Sequence, residues 1–152
     1  MSAIEITQVK SSDTEPAVAL LEKFFREEGF TTPSERIEAN LELMLQDTSC
    51  WAALARVDGK PVGVVTVSTM VYVEWGRMGE IGDLYVLPHH RKSGIARALI
   101  DAALVWCQVK SCLAVSVVIT QDGEQRHGLS KFYAGLKFKP TGRTFMTLDL
   151  PA

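Results

Sequence analysis

Leu84-Tyr85-Val86-Leu87-Pro88-His89-His90-Arg91-Lys92-Ser93-Gly94-Ile95-Ala96 passes from an apolar run, through a proline stop and a basic turn, into a long helical pattern. The run from Glu80 to Leu87 reads as a strand that Pro88 ends. From Ser93 to about Lys110, Ile95, Leu99, Ala103 and Cys107 recur on one face, which predicts a helix. A helix start placed directly after a strand has a definite chemical use. Its first amides have no internal partners and carry about half a positive charge between them. A pyrophosphate set there receives several N–H bonds at once. Gly94 removes a Cβ from the path of such an anion, Ala96 keeps the next turn narrow, and Arg91, Lys92 and Arg97 add cations. The competing reading is a plain strand–loop–helix with a solvated basic turn. Neither GxxxxGK[ST] nor GxGxxG is present at this loop.

Working outward, Ile4 to Val9 alternates apolar and polar side chains, as in a strand with one buried face. A helix is expected after Ser12-Asp13, with Pro16 in its first turn, Val18, Leu21, Phe24 and Phe25 at helical spacing, and Gly29 at its end. Thr32-Pro33-Ser34-Glu35 opens a second helix with the stripe Ile37, Leu41, Met44 and Leu45. Trp51 to Val57 and Pro61 to Met70 read as a hairpin around Asp58-Gly59. A connection containing Trp75 and Gly76 leads to the strand from Glu80. Leu113 to Thr120 is nearly continuous in apolar and β-branched residues, the pattern of a central strand covered on both sides. Leu129 to Leu136 reads as a short helix and Arg143 to Leu150 as a final strand. The expected fold is α/β in the α+β sense, a mixed and mostly antiparallel sheet with helices on both faces. Its order is β-α-α-β-β-β-α-β-α-β, in one domain spanning residues 1–152.

Composition sets the outer bounds. Apolar residues make up 47% of the 152 positions and charged residues 22%, enough to bury a core. A net charge of −2 gives no basic surplus for displacing counterions from nucleic acid, so none is expected as a partner. Cys50, Cys107 and Cys112 lack CxxC spacing, and His89, His90 and His127 lack metal-ligand spacing; reduced thiols and no metal are expected. The N-terminal MSAIEITQVK has no signal pattern, and no apolar run reaches ~18 residues, so a cytoplasmic protein with no membrane association is expected.

The loop Arg91-Lys92-Ser93-Gly94-Ile95-Ala96 resembles the R/Q-x-x-G-x-G/A signature of the GNAT superfamily of N-acetyltransferases. Leu84-Tyr85-Val86-Leu87-Pro88 resembles that family's strand leading into the loop, and Phe132-Tyr133-Ala134-Gly135-Leu136-Lys137-Phe138 resembles its later FYxxxGF element. Three segments in the right order and spacing are more specific than any one. The resemblance implies an acetyl-CoA-dependent N-acetyltransferase, with Leu84, Tyr85, Val86, Arg91, Lys92, Ser93, Gly94, Ile95, Ala96 and Arg97 along the cofactor. Two positions depart from the pattern: Arg126 stands where the family often has a cofactor-contacting Asn, and Lys137 replaces a glycine suited to a left-handed helix cap.

Transfer of an acetyl group to an amine has three chemical needs. The amine, an ammonium with pKa ~10, must lose a proton. The thioester oxygen needs hydrogen-bond donors. The departing thiolate, with pKa ~8.5 by analogy with a free thiol, is helped by an acid. By resemblance Tyr133 is the candidate acid, and a backbone N–H near Val86 the oxyanion donor. Glu80 leads for the base. Plain strand alternation places Glu80, Gly82, Leu84 and Val86 on one face and Asp83 on the other, whereas a bulge would bring Asp83 in instead. The family's acceptor pocket draws on the first two helices and the hairpin before the cofactor strand. Phe25, Glu28 and Trp75 are the candidates there, since aromatic walls and carboxylates suit a cationic amine. A small-molecule amine is the expected acceptor. A protein or peptide amine and a non-catalytic acyl-CoA-binding module are the alternatives. Exposed sheet edges and the Trp75 connection are compatible with a homodimer.

Overall fold

The computed structural model describes residues 2–152, which form two compact units divided after Val118. In the first, β1 (Ile4–Gln8) precedes α1 (Glu15–Glu27) and α2 (Ser34–Gln46). Then come β2 (Cys50–Val57), β3 (Lys60–Tyr72) and β4 (Gly76–Val86). A single 3-10 turn at Pro88–His90 leads to α3 (Ile95–Val109) and β5 (Ala114–Val117). The sheet order is β1-β2-β3-β4-β5, antiparallel throughout except for the parallel pair of β4 and β5. The expected mixed, mostly antiparallel sheet is therefore present.

Which helix covers which face follows from the register. Residues opposite one another across two strands point to the same face. Ala52, Leu54, Val64 and Tyr85 share one face and form a buried cluster with Ala17, Leu20 and Leu21 of α1 and Ile37 and Leu41 of α2. The other face receives α3. A Cβ on Gly63 would meet Leu99 and Ile95 at 3.0 and 3.2 Å, and one on Gly79 would meet the Cys107 sulfur at 2.6 Å. Glycine at position 79 thus lets α3 lie close against β4. Cys107, buried there with its thiol pushed up to about 12 by desolvation, is a packing residue.

The second unit, Ile119–Ala152, contains α4 (Gln121–His127) and α5 (Leu129–Gly135). The expected helix at 129–136 is α5; α4 was not anticipated. Gln121-Asp122-Gly123-Glu124-Gln125-Arg126-His127 has no apolar stripe, and α4 instead holds by local bonds. The Thr120 hydroxyl accepts from Gly123 N–H, and Arg126 pairs with Asp122 one turn away. Gly128, at φ +59°, ends α4 and starts α5. Lys137 itself adopts the left-handed cap conformation (φ +75°). Its N–H donates to the Ala134 carbonyl and that of Phe138 to Tyr133, so the cap forms without glycine, at a cost of about 1 kcal/mol in backbone strain.

Two expected strands need correction. The run 113–120 gives a strand only over 114–117, and it lies at the sheet edge rather than in the centre. The β-branched run reported propensity, but among the described residues nothing pairs on its outer side. Residues 143–150 form no strand at all. Alternation is there, but a strand needs an edge to pair with, and Phe145, Met146, Leu148 and Leu150 stay exposed.

Candidate active site

The central feature is a register break in β4. Thr66 faces Asp83 while its neighbour Val67 faces Ile81, so Gly82 is the extra, bulged residue. Glu80 then faces Ser68, on the same side of β3 as Thr66. The bulge puts Glu80 and Asp83 on one face, the α1/α2 side, and sends Ile81, Leu84 and Val86 to the α3 side. The grouping of Glu80 with Leu84 and Val86 expected from plain alternation is thereby corrected.

Asp83 is largely buried, and Thr66 donates its hydroxyl to Asp83 Oδ2 at 2.6 Å. Desolvation raises the Asp83 pKa above its ordinary 3.8, and the Thr66 bond opposes this as the smaller effect. A carboxyl so held is a proton acceptor of increased basicity. Glu80 is half-buried two strand positions away, with Ser116 of β5 opposite it on the other side. Thr66 had no sequence signal, because it is 17 positions from Asp83 and the pairing exists only through the hairpin.

The bulge also marks where β5 leaves the sheet. Parallel pairing runs from Met78 with Ala114 to Ile81 with Val117 and stops. From Gly82 to Val86 the edge of β4 on that side has no partner strand among the described residues. This leaves a row of backbone donors and acceptors that leads toward the loop at Arg91.

The loop is built as its sequence suggests, with one difference. The helix begins at Ile95 rather than Ser93, and Gly94 is its N-cap in the left-handed region (φ +86°). No side chain caps this end, and the first helical bond made is Ala98 N–H to the Gly94 carbonyl. The amides before it are left for an outside acceptor. Nothing lies within 4 Å of the position a Cβ on Gly94 would take, so an anion has room to approach. Lys92 also has positive φ (+61°), a strained choice for a lysine. The Ser93 hydroxyl donates to the His90 carbonyl and pins the turn. Lys92, Ser93 and Arg97 are exposed, Arg97 pairing loosely with Asp101. Ile95, by contrast, is buried, its side chain packed against Gly63 of β3. Replacing Gly94 by Ala should raise the Kd for CoA roughly tenfold. Isothermal titration would read this, and the left-handed backbone alone should cost about 1 kcal/mol of stability.

Arg91 is more committed than a mobile phosphate ligand. Its Nε donates to the Val86 carbonyl at 2.9 Å and its Nη2 to both Glu27 oxygens at 2.8 and 3.1 Å. The guanidinium also lies over the Tyr85 ring, 5.5 Å from its centroid. Tyr85 stacks on Phe24 and hydrogen-bonds Glu27, and burial followed by the Glu27 carboxylate raises its pKa. Arg91 thus ties the loop to β4 and to the end of α1. Glu27, 64 positions away, was not distinguishable in sequence from its neighbour Glu28. Beside this lock, Ala19, Glu22, Lys23, Arg26, Tyr85, Leu87, Pro88, His89 and His90 line an open groove of about 760 Å³.

The remaining candidates are placed separately. Phe25 packs between Phe24 and Phe30, Glu28 caps α1, and Trp75 sits edge-on to Tyr72 in the β3–β4 turn. In the second unit Tyr133 is buried between Phe132 and Phe138, and burial pushes its hydroxyl up to about 12. Arg126 is paired with Asp122 on exposed α4. No group of side chains that could hold a metal occurs among the described residues.

The sequence matches the acetyltransferase (GNAT) family over residues 14–134. No curated protein matches the sequence. Among solved structures, the chain is similar to the aminoglycoside N-acetyltransferase AAC(6')-Iy in complex with CoA. That match has a TM-score of 0.85 at 22% identity, covering 98% of this chain and 96% of that one. It is similar to a ribosomal-protein-alanine N-acetyltransferase from Brucella melitensis biovar Abortus 2308, with TM-score 0.76 at 25% identity, covering 97% and 100%. An aminoglycoside 6'-N-acetyltransferase from Acinetobacter haemolyticus gives TM-score 0.79 at 21% identity, covering 97% and 99%. The bulged strand, the open β4 edge and the left-handed glycine at a helix start are features of this chain itself, and with the match over 14–134 they lead to one conclusion: the chain belongs to the acetyltransferase (GNAT) family and is an enzyme that uses acetyl-CoA.

Proposed function

We propose that this enzyme transfers an acetyl group from acetyl-CoA to the primary amine of a small cationic molecule. The observation that carries the reading is the bulge at Gly82, which brings Glu80 and Asp83 to one face of β4 just where β5 leaves that strand's edge open. Acetyl-CoA supplies an acyl group already activated as a thioester. The amides of Ser93, Gly94, Ile95 and Ala96 would hold its pyrophosphate, with Lys92 and Arg97 as nearby cations and Arg91 fixing the loop. Leu84, Tyr85 and Val86 would contribute backbone groups along the open edge, and the Val86 N–H is the proposed oxyanion donor. Arg126 is a further proposed contact to the cofactor.

Half-buried Glu80 is assigned to hold the acceptor ammonium and Asp83 to take its proton. A carboxyl whose proton affinity is raised by burial lies closer to the amine's own, and this favours the transfer. Tyr133 is proposed to serve the departing sulfur, and Phe25, Glu28 and Trp75 to contact the acceptor. On this reading residues 1–152 act as one domain in the cytoplasm; no helix among the described residues is long and apolar enough to cross a membrane.

A small amine is supported by the neighbouring aminoglycoside acetyltransferases, one of them solved with the bisubstrate analogue CoA-S-monomethyl-acetylneamine. A protein N-terminal amine is the second reading, supported by the neighbour named for ribosomal-protein-alanine acetylation. The test is thiol release from acetyl-CoA across a panel of polyamines, aminoglycosides and peptides with free N-termini. Small amines should give the highest kcat/KM. Release driven only by the peptides would replace the proposal with the second reading.

A further inference from the structure

We propose that Cys107 and Cys112 form a reversible disulfide, which makes the turn after α3 a site of oxidative modification by a low-molecular-weight disulfide. The turn is a Schellman motif with cysteine at both of its contact positions. α3 ends at Val109 with Lys110 as its C-cap. Ser111 N–H then donates to the Gln108 carbonyl at 3.0 Å and Cys112 N–H to the Cys107 carbonyl at 2.9 Å, with Ser111 in the left-handed region (φ +63°). This motif ordinarily sets two apolar side chains against each other at those two ends, and here both are thiols. The backbone spacing suits a disulfide as well. With standard bond lengths, the 2.9 Å hydrogen bond keeps the two Cα atoms within about 6.8 Å, inside the span that disulfides bridge.

The electrostatics agree. Burial is the main cause that pushes the Cys107 thiol up to about 12, and the Cys112 thiol is the next, so the two sulfurs act on each other. Cys50 is no competitor for either. It lies opposite Ser68 and its thiol donates to that hydroxyl, on the face of the sheet that carries Glu80. Cys107 packs against Gly79 on the α3 face instead.

Cys112 is half-buried and Cys107 only 1% exposed, so a reagent reaches Cys112 first. As thiolate it attacks one sulfur of a disulfide such as oxidised glutathione. A mixed disulfide forms and one glutathione thiolate leaves. Cys107 then gives up its proton and displaces the second glutathione from Cys112. Two protein thiols are oxidised, one small disulfide is reduced to two thiols, and the two protons pass to the departing thiolates. Once Cys112 is in the mixed disulfide it no longer opposes ionisation of Cys107, which eases the second step. The new bond fastens the end of α3 to the start of β5, where Leu113 N–H donates to the Arg77 carbonyl. Disulfides of this kind in reducing compartments are characteristically transient and redox-sensing. The inference is independent of which amine the enzyme acetylates, since it rests on the turn alone.

The test is incubation of the folded full chain with excess oxidised glutathione, followed by denaturing alkylation and a non-reducing tryptic digest. Free thiols should fall from three to one. Cleavage after Arg97, Lys110 and Arg126 should release peptides 98–110 and 111–126 as one linked species that dithiothreitol separates. Cys50→Ser should still give that species. Cys112→Ser, which spares the buried member of the pair, should keep both remaining thiols free under the same treatment. A thiol count that stays at three overturns the proposal. So does glutathione left on Cys112 with Cys107 free, a link that includes Cys50, or a link that forms only when the chain is unfolded before oxidation.

Discussion

Replacing Asp83 by Asn should lower kcat by roughly 10²- to 10⁴-fold, the range of a lost general base, while CoA binds as before. Asn keeps the shape and can still accept from Thr66, so the change isolates the proton. The pH profile makes the test sharper. Desolvation raises the Asp83 pKa, so the active carboxylate is lost on acidification above the ordinary 3.8. Wild-type kcat/KM should therefore fall on its acid side in that raised range, and Asp83→Asn should flatten the limb. Glu80→Gln should differ in kind, weakening the amine's KM more than kcat. Full turnover by the Asp83 variant would end its role as base.

The same shift predicts a stability effect of the opposite sense. The folded-state pKa of Asp83 lies above its unfolded value, so the fold favours the protonated form. That stabilisation is fully present below the unfolded pKa and is lost as pH rises through the folded one. At neutral pH the buried carboxylate therefore destabilises the wild type. Asp83→Asn should melt higher near pH 7, and the advantage should vanish in acid below the usual carboxylate pKa. A variant that gains stability while losing turnover is the expected mark of a strained functional residue.

The sequence carries some of this architecture locally and leaves the rest to tertiary pairing. The strand–turn–helix at residues 84–109 was legible because its parts are contiguous: a strand end, a proline, a glycine and a helical stripe within a few turns. The left-handed Gly94 needed no tertiary information. The two faces of the sheet were partly legible, since helical spacing marks Leu99 and Cys107 as core. The shared face of Glu80 and Asp83 was not, because alternation counts residues evenly and a single extra one at Gly82 inverts the result for everything beyond it. Arg91 was seen as a cation but not as a tether, because Glu27 is remote in sequence. The last strand failed for a different reason. The pattern of 143–150 is that of a strand, but its partner edge is not set by local sequence. The helix α4 is the converse, a segment with no pattern whose caps suffice.

Tyr133→Phe should lower kcat by roughly 10- to 100-fold and leave the KM for acetyl-CoA nearly unchanged, the scale of one hydrogen bond to a charged partner. A smaller loss than for Asp83 follows from the environment of the hydroxyl. Burial among Phe132 and Phe138 pushes it up to about 12, so it stays protonated throughout the working range. Handing that proton to a thiolate of pKa ~8.5 would be uphill. On the proposed mechanism Tyr133 would therefore donate a hydrogen bond to the departing sulfur while keeping its proton. This distinguishes it from a general acid in a measurable way. A general acid would add a basic limb to the pH–rate profile that Tyr133→Phe removes. A donor that never ionises leaves the profile's shape alone and lowers it uniformly. Loss of a basic limb in the variant would restore the acid role, and unchanged turnover would remove Tyr133 from the chemistry altogether.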